Sequence, residues 1–259
     1  MPFALITGAS KGIGRSIAKE LAARKIDVLL VARTEKLLNE LAVELINLYG
    51  IKAYCLSIDL AQPQAARKVY DWSIERKFTV NILVNNAGYG LSGDFEKYSR
   101  EDYMDMMQVN IIAPVELICL FLSGLKKQSK AYILNIGSSA AYQSVPYLSI
   151  YSGSKAFIVN FSRALKYELN KTNVSVTLVS PGTTITEFSE RANVPEKSIK
   201  AGKKISMTAD QVAKIAVKSL FKEKTEVITG FITKLTIFLV WLLPKKLVER
   251  TGAGFYKKI

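Results

Sequence analysis

Short apolar runs alternate with longer segments of helical period through most of the chain, the pattern of a parallel sheet covered by helices. The candidate strands are Phe3–Thr7, Asp27–Ala32, Lys52–Ile58, Asn81–Val84, Ala131–Ile136 and Val174–Val179, with a short seventh over Glu226–Thr229. Helices are expected to begin near Gly12, Thr34, Pro63, Arg100, Ile150 and Thr208; Thr34 and Thr208 suit N-caps, and Pro63 suits a first turn. No repeat or low-complexity linker interrupts the pattern. The expected architecture is one doubly wound α/β domain over residues 1–230, followed by an apolar and basic helical extension over residues 231–259. In such a sheet, ligands bind beyond the carboxyl ends of the strands, near the point where strand order reverses. Thr7-Gly8, Asp59, Asn85 to Gly88, Ser138 and Pro181-Gly182 all fall at or just past a predicted strand end.

Composition narrows the chemistry. With 49% hydrophobic and 22% charged residues, 259 residues can bury a full core, which excludes a disordered chain. There is no histidine, so Ser-His-Asp and Cys-His catalysis, imidazole zinc sites and a histidine acid or base are excluded. No metal is expected, and Tyr, Lys, Asp and Glu must carry any proton transfer. Cys55 and Cys119 lie far apart in apolar segments without C-x-x-C spacing, and are expected to be buried thiols of a reducing compartment. The opening residues run straight into a strand, so no signal peptide and a cytoplasmic location are expected. The formal charge of +14 suits nucleic acid or an anionic membrane, yet no aromatic-basic platform accompanies it. Nucleic acid is therefore not an expected partner.

After the first strand comes Thr7-Gly8-Ala9-Ser10-Lys11-Gly12-Ile13-Gly14, a glycine-rich turn entering an apolar helix. Glycines permit close backbone approach, and a helix start presents free amides to a pyrophosphate, so Gly8, Ser10, Lys11, Gly12, Ile13 and Gly14 are candidate dinucleotide contacts. An NAD site usually places Asp or Glu at the end of the second strand, to accept from the ribose 2′-hydroxyl. Here that end reads Ala32-Arg33-Thr34, and Arg33 can pair instead with a 2′-phosphate, with Lys11, Ser10 and the helix start near Thr34 beside it. NADP(H) is the expected cofactor. Asp59 and Leu60 are candidates for the adenine edge, and Asn86, Ala87 and Gly88 for the adenosine side.

Tyr151 and Lys155 stand four residues apart, on one face if helical, with Ser138 upstream. An equally spaced pair occurs at Tyr167 and Lys171, so spacing alone does not choose between them. The combination of Thr-Gly-x-x-x-Gly-x-Gly at Thr7 to Gly14, Asn85-Asn86-Ala87-Gly88, Asn110, Ser138, Tyr151-x-x-x-Lys155 and Pro181-Gly182-x-x-x-Thr186 resembles the short-chain dehydrogenase/reductase family over about residues 3–190. The resemblance implies a Rossmann-like fold, catalysis by Asn110, Ser138, Tyr151 and Lys155, and a nicotinamide end formed by Pro181, Gly182, Thr184 and Thr186. It also implies a homodimer or homotetramer built from the helices carrying Asn110 and Tyr151, and it passes over Tyr167 and Lys171, expected on the same long helix. A tyrosine of pKa about 10 needs about 4 kcal/mol to ionise near neutrality, which one cation about 4 Å away supplies at an effective dielectric near 20. Lys155, together with a positively charged nicotinamide, is expected to do this. Asn110 is expected to hold a water linking Lys155 to solvent, by its side chain or by a freed backbone carbonyl.

The implied activity is interconversion of a carbonyl and an alcohol on a small-molecule substrate; a nucleotide-sensing protein without turnover is the alternative. The expected substrate walls are Tyr89 to Phe95, Ala140 to Tyr147 and Glu187 to Ser206, the last carrying Lys197, Lys200, Lys203 and Lys204 in a solvated loop. Phe231 to Leu243 is almost wholly apolar and is followed by Pro244-Lys245-Lys246 and later Lys257-Lys258. Thirteen helical residues reach only about 20 Å, too short to span a bilayer. Two placements compete for it: packing on the domain or a partner subunit, or peripheral membrane contact through residues 231–246.

Overall fold

The computed structural model describes residues 2–203 and 205–256; Lys204, Lys257 and Lys258 lie outside the described residues. The chain begins with β1 (Phe3–Thr7), α1 (Gly12–Ala22), β2 (Asp27–Ala32), α2 (Glu35–Tyr49), β3 (Ala53–Ser57), α3 (Ala65–Glu75) and β4 (Val80–Asn85). It continues through α4 (Arg100–Met107), a π turn (Gln108–Ile112), α5 (Ala113–Lys126), β5 (Ala131–Ile136), α6 (Ser149–Glu168) and β6 (Val174–Ser180). Then come β7 (Thr184–Ile185), α7 (Phe188–Arg191), α8 (Glu196–Lys203), β8 (Met207–Thr208), α9 (Ala209–Phe221), β9 (Glu226–Ile228), α10 (Phe231–Leu242) and α11 (Lys245–Tyr256).

Seven strands form one parallel sheet in the order β3-β2-β1-β4-β5-β6-β9, and β7 pairs with β8 in a separate ribbon. The strand period of two explains why both faces need cover. Ala4, Ile6, Val28 and Leu30 point into a core with Ile17, Leu21, Leu41 and Leu220 of α1, α2 and α9. Phe3, Leu5, Leu29 and Val31 point the other way, against Val69, Leu117, Phe121 and Leu165 of α3, α5 and α6. The doubly wound parallel sheet is thus the architecture expected from the sequence. Strand order reverses between β1 and β4, which opens a crevice at their carboxyl ends.

Some local expectations are corrected. Helix α3 begins at Ala65, because Gln64 takes a left-handed φ of 60° just before it and leaves Pro63 outside the first turn. Thr34 stands at the N-cap of α2 without a side-chain bond to a helix amide. Thr208 does cap α9, in a reciprocal box with Gln211, and Ser99 with Asp102 caps α4 in the same way. Leu117, Ile118 and Phe121 take the buried stripe of α5, so Cys119 falls outside it and is exposed rather than buried. Cys55 is half-buried, and burial lifts its thiol to about 11. The helical run Arg100–Lys126 is long and apolar enough by composition to cross a membrane, yet its α5 stripe lies in the core against the sheet. In α10 only Val240 is buried, so packing on its own domain covers little of that helix.

A buried polar chain joins β4, β5 and α6: the Asn85 side-chain amide donates to Asn135 Oδ1 at 2.9 Å, and Asn135 Nδ2 donates to Ser162 Oγ at 2.9 Å. Replacing Asn135 with Ala leaves two buried groups without partners. A loss of about 2–4 kcal/mol is expected, read as a lower urea midpoint at unchanged slope.

Candidate active site

The cleft floor is set where β1 and β4 end. Thr7 Oγ1 donates to the Val84 carbonyl at 3.1 Å and accepts from the amides of Asn86 and Ala87 at 3.0 and 3.1 Å. The Asn86 side-chain amide returns to the Thr7 and Gly8 carbonyls at 2.9 and 3.3 Å. Gly8 has a φ of 66°, and a Cβ there would lie 2.8 Å from Asn86 Nδ2. A Cβ at Gly14 would strike the Gly8 carbonyl oxygen, so α1 can approach the turn only with glycine at that place.

A cleft of about 620 Å³ runs from this turn to α11. Gly8, Ser10, Lys11, Gly12, Ile13, Arg33, Thr34, Asp59, Leu60, Asn86, Ala87 and Gly88 line one end, and Ser138, Tyr151, Lys155, Pro181, Gly182, Thr184 and Thr186 the other. Of the expected site residues, Gly14 and Asn110 stand behind the wall. Arg33 is half-exposed and 3.6 Å from Asp59, a solvent-screened pair that leaves its guanidinium open to an anion. Thr186 abuts the glycine turn, its Cγ2 being 3.1 Å from where a Cβ of Gly12 would stand. Thr184 Oγ1 donates to the Gly182 carbonyl at 3.0 Å. An open-backbone glycine turn at a helix start, with Lys11 and Arg33 beside it, fits a dinucleotide with its phosphates.

Asn110 sits in the π turn and is buried. Its Nδ2 donates to the Tyr89 carbonyl at 2.9 Å and to Ser154 Oγ at 3.1 Å, while its Oδ1 accepts from the Tyr89 amide at 3.1 Å. The side chain is therefore spent on pinning the loop after β4 to α6, which corrects the side-chain half of the expectation and does not touch the backbone-carbonyl half. Lys155, also buried, donates from Nζ to the Ile136 carbonyl at 2.9 Å. A Cβ on Gly88 would approach that Nζ to 3.2 Å, so glycine keeps the ammonium's space clear.

The expected cation stands near the phenol ring. Lys155 Nζ is 6.0 Å from the centroid of the Tyr151 ring. An ammonium so placed favours the phenolate, but it does not set the resting phenol. Burial dominates instead and pushes the Tyr151 phenol up to about 12, with the Ser138 hydroxyl opposing it and neighbouring Tyr256 adding to it. The same burial draws Lys155 down to about 8. Unliganded, Tyr151 is a firmly protonated acid. Ser138 Oγ accepts from the Ala140 amide at 3.1 Å, which orients its hydroxyl at the start of a short turn.

The rival pair separates in space. Tyr167 is 78% exposed on α6, and Lys171 lies past the end of that helix rather than on it. Phe188 and Arg191 come from the expected wall Glu187 to Ser206, whereas Tyr256 escaped the sequence reading. Phe188 of α7 packs its ring 5.2 Å from that of Tyr151, Arg191 lies 4.0 Å over Tyr89, and Tyr256 closes the far side from α11. Tyr256 had no local signal, since contact between residues so distant in sequence is a product of the fold. Of the expected walls, none of Tyr89 to Phe95 and only Ala140 of Ala140 to Tyr147 line the cleft, and Phe95 stacks on Tyr103 outside it. Lys197, Lys200 and Lys203 are exposed and do not line the cleft, and Lys200 pairs with Glu196 at 2.8 Å.

Residues 2–197 match the sequence model of the short chain dehydrogenase family. An uncharacterised oxidoreductase of Staphylococcus epidermidis is 33% identical over 202 residues, covering 76% of this chain and 86% of that protein. Among solved structures, a 7β-hydroxysteroid dehydrogenase superposes with a TM-score of 0.87 at 26% identity, covering 97% of this chain and 96% of the other. A short-chain dehydrogenase from Sphingobium yanoikuyae in complex with NADPH superposes with a TM-score of 0.79 at 30% identity, covering 88% and 87%. By its sequence, its sheet and the residues gathered in its cleft, the chain belongs to the short-chain dehydrogenase/reductase family.

Proposed function

We propose that this oxidoreductase uses NADP(H) to interconvert an apolar ketone or aldehyde and its alcohol, with Tyr151 as the proton donor in reduction. The observation that carries this reading is a phenol held at about 12 in the same cleft as the glycine turn and Arg33. NADPH, when bound, supplies the hydride. Tyr151 gives its proton to the substrate oxygen, and the Ser138 hydroxyl orients that oxygen. The Lys155 ammonium stabilises the phenolate left behind. Asn110 acts by position, through Tyr89 and Ser154.

The substrate class follows from the walls around Tyr151. Leu148, Ala140, Phe188, Val194, Ile199 and Tyr256 are among the residues that line the cleft, together with Glu187, Glu190 and Arg191. The apolar members favour a bulky apolar group next to the carbonyl. The likeness to a steroid dehydrogenase supports the same class, and the NADPH complex of the Sphingobium protein supports the cofactor. The choice of NADP(H) over NAD(H) rests on Arg33 at the position where an acidic residue would meet a 2′-hydroxyl.

The first test is a panel of steroid ketones, 3-oxoacyl thioesters and aryl ketones, followed by NADPH oxidation with NADH alongside. NADPH binding without oxidation on any member would replace catalysis with nucleotide sensing. Tyr151→Phe is expected to lower turnover by about 10²–10⁴-fold while NADPH still binds, as read by cofactor fluorescence. Arg33→Asp is expected to weaken NADPH binding by roughly ten- to a hundredfold and to leave NADH unharmed, by the charge-assisted bonds it removes. For pH, Tyr151 stays protonated up to about 12 and Lys155 stays charged only below about 8. The kcat/KM for reduction is therefore expected to be level below about pH 8 and to fall above it as Lys155 loses its proton.

A further inference from the structure

The terminal helices turn outward an apolar surface that the domain does not use. Phe231, Leu235, Phe238 and Leu242 recur at spacings of four, three and four, which aligns them in one stripe along α10. Thr233 and Val240 lie on the opposite side, Thr233 against Gly182 and Val240 in the one buried position of the helix. The stripe therefore faces away from the protein: Phe231 is 80% exposed, Phe238 56%, and neighbouring Trp241 75%. Lys234, Lys245, Lys246 and Arg250 stand exposed around it, and Glu249 is the sole acidic residue between positions 231 and 256.

We propose that α10 and the start of α11 dock on an anionic phospholipid surface, with the stripe among the upper acyl segments and the cations at the phosphates. Twelve helical residues span about 18 Å, well short of the roughly 30 Å hydrocarbon layer, so the helix lies in the surface rather than crossing it. Trp241 beside the stripe suits the headgroup boundary, and the lysines gain from anionic lipid. A second copy is the poorer occupant. A two-fold contact through the stripe would ring it with the lysines of two chains, each with a formal charge of +14, whereas phosphates neutralise them. The helices carrying Asn110 and Tyr151, where the family resemblance puts a subunit contact, have exposed apolar side chains of their own in Met104 of α4, Ile112 of the π turn and Phe157 of α6.

The test uses the full chain with vesicles of equimolar phosphatidylglycerol and phosphatidylcholine, and with vesicles of phosphatidylcholine alone, separated by flotation. The protein is expected to float with the first and roughly tenfold less with the second. Trp241 emission should shift to the blue on binding, because the other tryptophan, Trp72, is half-buried against the core, away from the stripe. Phe238→Glu with Trp241→Glu, and separately Lys245→Glu with Lys246→Glu, are each expected to cut flotation roughly tenfold. Circular dichroism and the unfolding midpoint should stay at wild-type values, since all four side chains are exposed. Absence of wild-type flotation with anionic vesicles overturns the proposal, as does undiminished flotation of the Phe238/Trp241 variant. A wild type that does not float but drops from dimer to monomer in that variant, by light scattering, assigns the stripe to a second copy instead.

Discussion

The cleft depends on one threonine hydroxyl. Thr7 and its partners Val84, Asn86 and Ala87 are 77 to 80 residues apart in sequence, and their bonds hold together the two strand ends between which the sheet reverses direction. Each bond is worth only about 1 kcal/mol net, but a buried group left without its partner costs about 1–3 kcal/mol, so the clasp forms as a unit. Once it forms, the Gly8 turn has a fixed neighbour in Asn86, and α1 must press against Gly8 through a residue without a side chain. The loop after β4 is held in turn by Asn110 from the π turn. Cofactor end and phenol end are thus positioned from the same pair of strands.

A single cause shapes the electrostatics of the phenol end. Burial disfavours charge of either sign, so it raises Tyr151 and lowers Lys155 together. Reasoning from an ion pair alone misses this, because it assumes that the ammonium is spent on the phenol. In the structure it also donates to the Ile136 carbonyl. The phenol consequently keeps its proton, as the role proposed for it in reduction requires.

Much of this was legible in the sequence because it rests on local or periodic signals. β1, β2 and β5 stand where their apolar runs placed them, since a strand buried on both faces is mostly apolar throughout its length. The glycine turn and Ser138 meet at strand ends, and Tyr151 and Lys155 join them from the first turns of α6, one helical turn apart. What was not legible depends on distant contact or on competition between neighbours. Tyr256 reaches Tyr151's surroundings only through two helices whose path nothing local dictates. Cys119 reads as buried until Leu117 and Phe121 claim the inward stripe, and Asn110 reads as free until Tyr89 and Ser154 occupy its amide. The two-residue ribbon of β7 and β8 is too short to leave a periodic mark.

The terminal helices begin with Thr233 against Gly182 and finish with Tyr256 in the cleft lining, while Ser198 of α8 bonds the Phe255 carbonyl. They are stitched to the working parts at both extremes and so do not behave as an appendage. A purification tag joined behind Tyr256 would hang from a wall of the reaction chamber. Trimming the oily tail to ease handling would remove that wall, and kinetics measured on the shortened protein would describe a different, more open vessel.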